Sequence, residues 1–133
     1  MTTTEPRPSI YPVLRFEDAD RALTFLADAF GFKEEGVHRD EDGIIVHATM
    51  SWRGGMFMFS GRKGAGDPFD LGPVCIYVAV EDPDAHHDRA AAAGAEVVMG
   101  LTDQDYGSRE YAAKDPEGNV WCFGTYQPVP GGA

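Results

Sequence analysis

Residues Glu117–Gly124 read EGNVWCFG, and residues Arg53–Ser60 read RGGMFMFS. Laid over one another at a spacing of 64 positions, Gly54 falls on Gly118, Phe57 on Trp121 and Phe59 on Phe123. Each stretch is a glycine turn running into a short apolar strand. The same spacing carries Phe16-Glu17-Asp18-Ala19-Asp20 onto Val80-Glu81-Asp82-Pro83-Asp84. One spacing that holds at two separated landmarks indicates an internal duplication.

The repeated unit reads outward from these landmarks as β-α-β-β-β. Ser9–Phe16 is a short apolar strand, after which Ala22, Phe25, Leu26 and Phe30 recur at helical spacing. Asp18 or Asp20 caps that helix and Gly31 stops it. Extended runs follow, with turns at Asp42-Gly43 and Gly54-Gly55. The Gly-rich stretch Arg62–Gly72 reads as a linker or mobile loop. The order then repeats: a strand over Pro73–Val80, a helix ending at Gly94, and two strands around Asp115-Pro116-Glu117-Gly118. The expectation is an α+β protein with residues 1–133 as a single domain. Its first module spans residues 9–62, its linker loop 63–72 and its second module 73–126.

Strand alternation divides the side chains between two faces. Leu14, Phe16, Phe57, Phe59, Ile76, Val78, Val80, Trp121 and Phe123 form a uniformly apolar set that should pack on the helices. The alternate set is mixed: Tyr11, Val13, Arg15, Met56, Met58, Ser60, Cys75, Tyr77, Ala79, Val120, Cys122 and Gly124. Such a face suits a ligand.

The chain has 133 residues, a formal charge of −11 and a pI near 4.6. That balance argues against a nucleic-acid partner, whose phosphates require basic patches. It leaves open whether the acids only solvate the surface or also gather a cationic ligand. No apolar run is long enough to span a membrane, and the opening MTTTEPRPSIYP lacks signal-peptide character. With two cysteines, a cytoplasmic protein with reduced thiols is expected.

The paired unit, opened by FEDADRALTFLADAFGF and closed by YGSREYAAKDPEGNVWCFGTY, resembles the vicinal oxygen chelate superfamily. That group includes glyoxalase I, bleomycin-resistance proteins, fosfomycin-resistance enzymes and extradiol dioxygenases. The resemblance implies eight strands in a half-open sheet around a cavity, often completed by a partner subunit, so a homodimer is expected. It also implies metal ligands in the metal-dependent members, His or Gln on the first strand of each half and Glu on the last. The corresponding positions here are Tyr11, Met58, Cys75 and Cys122. None carries the expected ligand, so neither a metal nor any other cofactor is expected. Cys75 and Cys122 with Met58 leave a soft metal ion as the remaining metal reading.

The resulting expectation is a non-catalytic binding protein of the bleomycin-resistance type, holding an aromatic or cationic natural product and conferring resistance by sequestration. A lyase or isomerase of the glyoxalase type, with unusual or no metal ligands, is the alternative. The candidate ligand contacts are Tyr11, Val13, Arg15, His47, Trp52, Met56, Met58, Cys75, Tyr77, Tyr106, Arg109, Tyr111 and Cys122. Tyrosine, tryptophan and methionine offer flat, adaptable surfaces. Arg15 and Arg109 either orient a ligand oxygen or pair with nearby acids. His47 is taken beside Tyr111, its counterpart at the spacing of 64. His38 sits in a charged turn, and His86 and His87 sit on the second helix. No catalytic residue is assigned.

Overall fold

The structure is a computed structural model that describes residues 7–131. In chain order its elements are β1 (Val13–Phe16), α1 (Ala19–Phe30), β2 (Lys33–Arg39), β3 (Ile45–Trp52) and β4 (Gly55–Gly61), then β5 (Cys75–Ala79), α2 (Pro83–Ala92), β6 (Glu96–Asp103), β7 (Arg109–Lys114) and β8 (Val120–Gly124). The duplicated β-α-β-β-β unit is thus present twice. Each copy makes an open four-stranded sheet, ordered β1-β4-β3-β2 in the first and β5-β8-β7-β6 in the second. In each, the outer strands β1 and β5 run parallel to β4 and β8, and the remaining pairs are antiparallel.

Local chemistry accounts for both helices. The Asp18 side chain accepts from the Arg21 N–H at 3.0 Å, and Gly31 ends α1 in the left-handed region at φ 79°. Ala22, Leu26, Ala29 and Phe30 form its buried stripe. In α2 Asp82 caps in the same way, accepting from Ala85 N–H at 3.1 Å, and Pro83 opens the first turn. The buried side of α2 is Pro83, His86 and Ala90.

Two compact units divide the chain. Of the described residues, the first holds those up to Ala27 together with Gly31–Leu71; the second holds Asp28–Phe30 and those from Gly72 onward. In the first, Phe16 meets Phe59 edge-on at 5.2 Å, and Phe32 meets Phe57 at 5.3 Å. In the second, Phe30 packs on Phe123 at 4.8 Å and on Trp121 at 6.0 Å. Burying each of these rings stabilises the fold by roughly 1.5–3 kcal/mol. Of the apolar set, Leu14, Phe16, Phe57, Phe59, Val80, Trp121 and Phe123 are buried, whereas Ile76 and Val78 on β5 are half-buried.

Two expected strand starts move inward. β1 begins at Val13 rather than Ser9, which leaves Tyr11 ahead of the strand, and β5 begins at Cys75 rather than Pro73. Prolines 8, 12 and 73 have no N–H to donate to a ladder. The stretch after β4 is also more organised than a linker. The Asp70 carboxylate accepts from the N–H groups of Lys63 and Gly64 at 3.0 and 2.6 Å and from Arg15 Nη1 at 2.9 Å.

The turn between β7 and β8 is built on one buried carboxylate. Asp115 accepts from Glu117 N–H (2.9 Å), Asn119 N–H (3.1 Å), the Asn119 amide (2.9 Å) and the Trp121 indole (3.0 Å). Asn119 in turn accepts from Val74 N–H at 2.9 Å. The Asp-Pro-Glu-Gly-Asn motif therefore positions β8 and its tryptophan.

Candidate functional site

The open face of the second sheet gathers a carboxyl group and three phenols. Glu110 on β7 lies opposite Gly124 on β8 and is only 5% exposed. The Tyr106 hydroxyl reaches both its carboxyl oxygens, at 2.9 and 3.0 Å, and the Gln104 amide donates to one of them at 3.3 Å. Tyr77 lies on β5, with β8 between it and β7, and its hydroxyl donates to the Tyr126 carbonyl at 2.6 Å. The rings of Tyr77 and Tyr126 meet edge-on at 6.5 Å, and those of Tyr106 and Tyr126 at 6.1 Å. All three tyrosines keep substantial exposure: 39% for Tyr77, 63% for Tyr106 and 45% for Tyr126.

Glu110 raises the pKa of three groups on this face. Its hydrogen bond is the largest cause raising the Tyr106 phenol above its ordinary range. Burial raises the Tyr77 phenol, and the charge of Glu110 adds to that, against lowering hydrogen bonds from Ser108 and the Tyr126 backbone. Burial, then Glu110, then Cys75 push the Cys122 thiol up to about 11. Cys122 is therefore a protonated thiol at neutral pH.

Sequence reasoning put Tyr77 and Cys122 on the open strand face and took Tyr106 as a candidate ligand contact, but missed Glu110, Gln104 and Tyr126. Glu110 was missed because of a one-residue slip in the duplication. Phe123 pairs with Tyr111 as Phe59 pairs with Ala48. β8 thus follows β4 by 64 positions (123 − 59), while β7 follows β3 by 63 (111 − 48). The structural counterpart of His47 is therefore Glu110, not Tyr111. The signal lay in the turns: Arg53-Gly54 joins β3 to β4, but Asp115–Asn119 joins β7 to β8.

The slip corrects two expectations. Tyr111 is fully buried on the helix side, where its hydroxyl meets His86 Nδ1. Arg109 shares its parity and is held by Asp84 on α2 at 2.7 Å and Asp103 at 3.1 Å. Trp52 also shares the helix side with Ala48 and Met50, and its ring meets Phe32 edge-on at 5.9 Å. Arg15 turns into an ion pair with Asp70 at 2.9 Å, with Asp67 at 3.7 Å and Phe69 under its guanidinium. Both arginines thus take the ion-pair alternative.

In the first sheet Val13, Met56, Met58 and Thr49 share the open face, with Val13 and Thr49 both paired to Met58. His47 lies opposite His38 with ring centres 6.2 Å apart, and both are exposed. Cys75 is exposed and, like Cys122, carries a free thiol.

His86 has a structural role. Its Nε2 lies 2.8 Å from the Phe30 carbonyl, so that nitrogen carries the hydrogen and Nδ1 is left to accept from Tyr111. Burial lowers its pKa and keeps it neutral.

Two open sheets of the order 1-4-3-2, each with its helix, define an α+β fold of paired β-α-β-β-β units. The family model of the Glyoxalase/Bleomycin resistance protein/Dioxygenase superfamily matches residues 10–123, and the chain belongs to that superfamily. A curated relative is the uncharacterized protein Mb0911c of Mycobacterium bovis. It is 37% identical over 131 residues, covering 92% of this chain and 84% of that one. Among solved structures, TioX from Micromonospora sp. ML1 is similar at 31% identity and a TM-score of 0.74, covering 90% of this chain and 100% of that one. A glyoxalase/bleomycin resistance protein/dioxygenase from Nocardioides shares the fold at 21% identity and a TM-score of 0.65, covering 98% and 92%.

The donors at the superfamily's metal positions do not fit a hard divalent ion. Tyr11 precedes β1 and offers a phenol, Met58 offers a thioether, and Cys75 and Cys122 offer soft thiols in place of imidazole and carboxylate. Among the described residues no group of three or more His, Cys, Asp or Glu is placed to hold a metal ion. No helix among them is long and apolar enough to cross a membrane.

Proposed function

We propose that this chain is a non-catalytic small-molecule binding protein of the bleomycin-resistance type, acting by sequestration of an aromatic or cationic natural product. One observation carries the reading: the positions that bind metal in the superfamily's enzymes hold Tyr11, Met58, Cys75 and Cys122. Sequestration requires shape, stacking and a few hydrogen bonds, and the open faces supply phenol, thioether and carboxyl groups for these. The free thiols of Cys75 and Cys122 fit a cytoplasmic location. A homodimer belongs to the same proposal.

The test has two parts. Elemental mass spectrometry of protein purified without chelator or affinity metal should find no stoichiometric transition metal. Calorimetric titration with a panel of aromatic natural products should give saturable binding, with each compound recovered unchanged. Conversion of a compound, lost on replacing Cys75 or Cys122, would move the chain to the lyase or isomerase class.

A further inference from the structure

Glu110 is a buried acid without a cation. Among the described residues no lysine, arginine or histidine pairs with it; its bonds are to the neutral Tyr106 hydroxyl and Gln104 amide. A carboxylate in such a place is normally neutralised by a partner charge. The two arginines nearest to a ligand role are already spent on Asp70 and Asp67, and on Asp84 and Asp103. The sheet is also shaped around Glu110. Gly124 is not among the residues with positive φ, so its backbone does not require glycine. Yet a Cβ there would stand 2.5 Å from Glu110 Cγ and 2.7 Å from the Tyr77 hydroxyl.

Resting on the binding-protein reading above, we infer that the open face of the second unit binds the cationic nitrogen of an amine or quaternary ammonium ligand, held between Glu110 and the rings of Tyr77, Tyr106 and Tyr126. Phenol rings attract a cation through their electron-rich faces, and the carboxylate supplies the counter-charge at close range. Tyr106 is the movable member, being the most exposed of the three and sitting on the Gln104–Ser108 turn. Its hydroxyl yields the Glu110 oxygens to the incoming nitrogen. The formal charge of −11 concentrates cations at the surface before they reach this face.

The test follows amide chemical shifts of the full chain during titration with benzyltrimethylammonium, with benzyl alcohol as the neutral ring and 2-naphthol as a larger neutral one. The cation should shift the amides of Tyr77 and Gly124 saturably and bind about tenfold or more tightly than benzyl alcohol. Glu110→Gln, whose amide oxygen still accepts from Tyr106, should lose about tenfold for the cation and nothing for the alcohol. Tyr126→Leu lies outside the strands and provides the same comparison should Glu110→Gln fail to fold. Unchanged cation affinity in either folded variant, or equal affinity for cation and alcohol, overturns the cation site. Binding of 2-naphthol to the open face in that case leaves sequestration standing. If none of the three compounds moves an open-face amide, both readings fall.

Discussion

Glu110 and Gly124 are paired across β7 and β8, and the Glu110 side chain occupies the space that any side chain at 124 would need. Gly124→Ala should therefore destabilise the fold by about 1–3 kcal/mol, the usual cost of overpacking. In a Glu110→Ala background the cost should fall, leaving only the crowding against Tyr77. Urea unfolding of the two single variants and the double variant measures the coupling.

Asp115 should be the most sensitive residue of the closing motif. Asp115→Ala removes the shared acceptor of the Asn119 amide and the Trp121 indole N–H in a buried turn. A loss of about 3–5 kcal/mol is expected, as for breaking a buried charged network. Asn119→Ala should cost less, because Trp121 keeps its acceptor. Thermal and urea unfolding separate the two.

The neutral, buried His86 makes stability depend on pH. Its folded pKa lies below its ordinary value, so below about pH 6.5 the unfolded chain binds the extra proton and the folded chain resists it. Stability should be full above that pH, fall as pH drops through it, and level off once the folded pKa is passed. His86→Gln should flatten this dependence between pH 7.5 and 5.5, measured by urea unfolding at each pH.

The two thiols should react in a fixed order. Cys75 is exposed, whereas Cys122 is half-buried with its thiol pushed up to about 11. At pH 8 only about a thousandth of Cys122 is thiolate. Iodoacetamide should label Cys75 first and Cys122 far more slowly, as read by peptide mass spectrometry. Glu110→Gln should speed the second labelling by removing one cause of the raised pKa.

Asp70 ties the segment after β4 to Arg15. Burial raises its carboxyl, but bonds from the Gly64 and Lys63 N–H groups and from Arg15 outweigh this and hold it below the ordinary carboxylate range. The tie should persist until pH falls well into the acid range, with its stabilisation lost as the folded pKa is crossed. Asp70→Ala should expose residues 62–71 to proteolysis at neutral pH, where the native chain is cut slowly.

The sequence by itself determined whatever is local and periodic. Glycine turns, aspartate caps and strict alternation laid out two β-α-β-β-β units and the faces of β1, β4, β5 and β8, because these follow from backbone sterics and side-chain period alone. Where pairing rather than period decides, the tertiary structure was needed. A longer turn before β8 shifts β7 by one residue, which moves Tyr111 into the core and turns Glu110 to the open face. Arg15 and Arg109 had 22 acidic residues to choose from, and only the folded chain selects Asp70 and Asp84. Charge pairing depends on distance through space, which one dimension does not record.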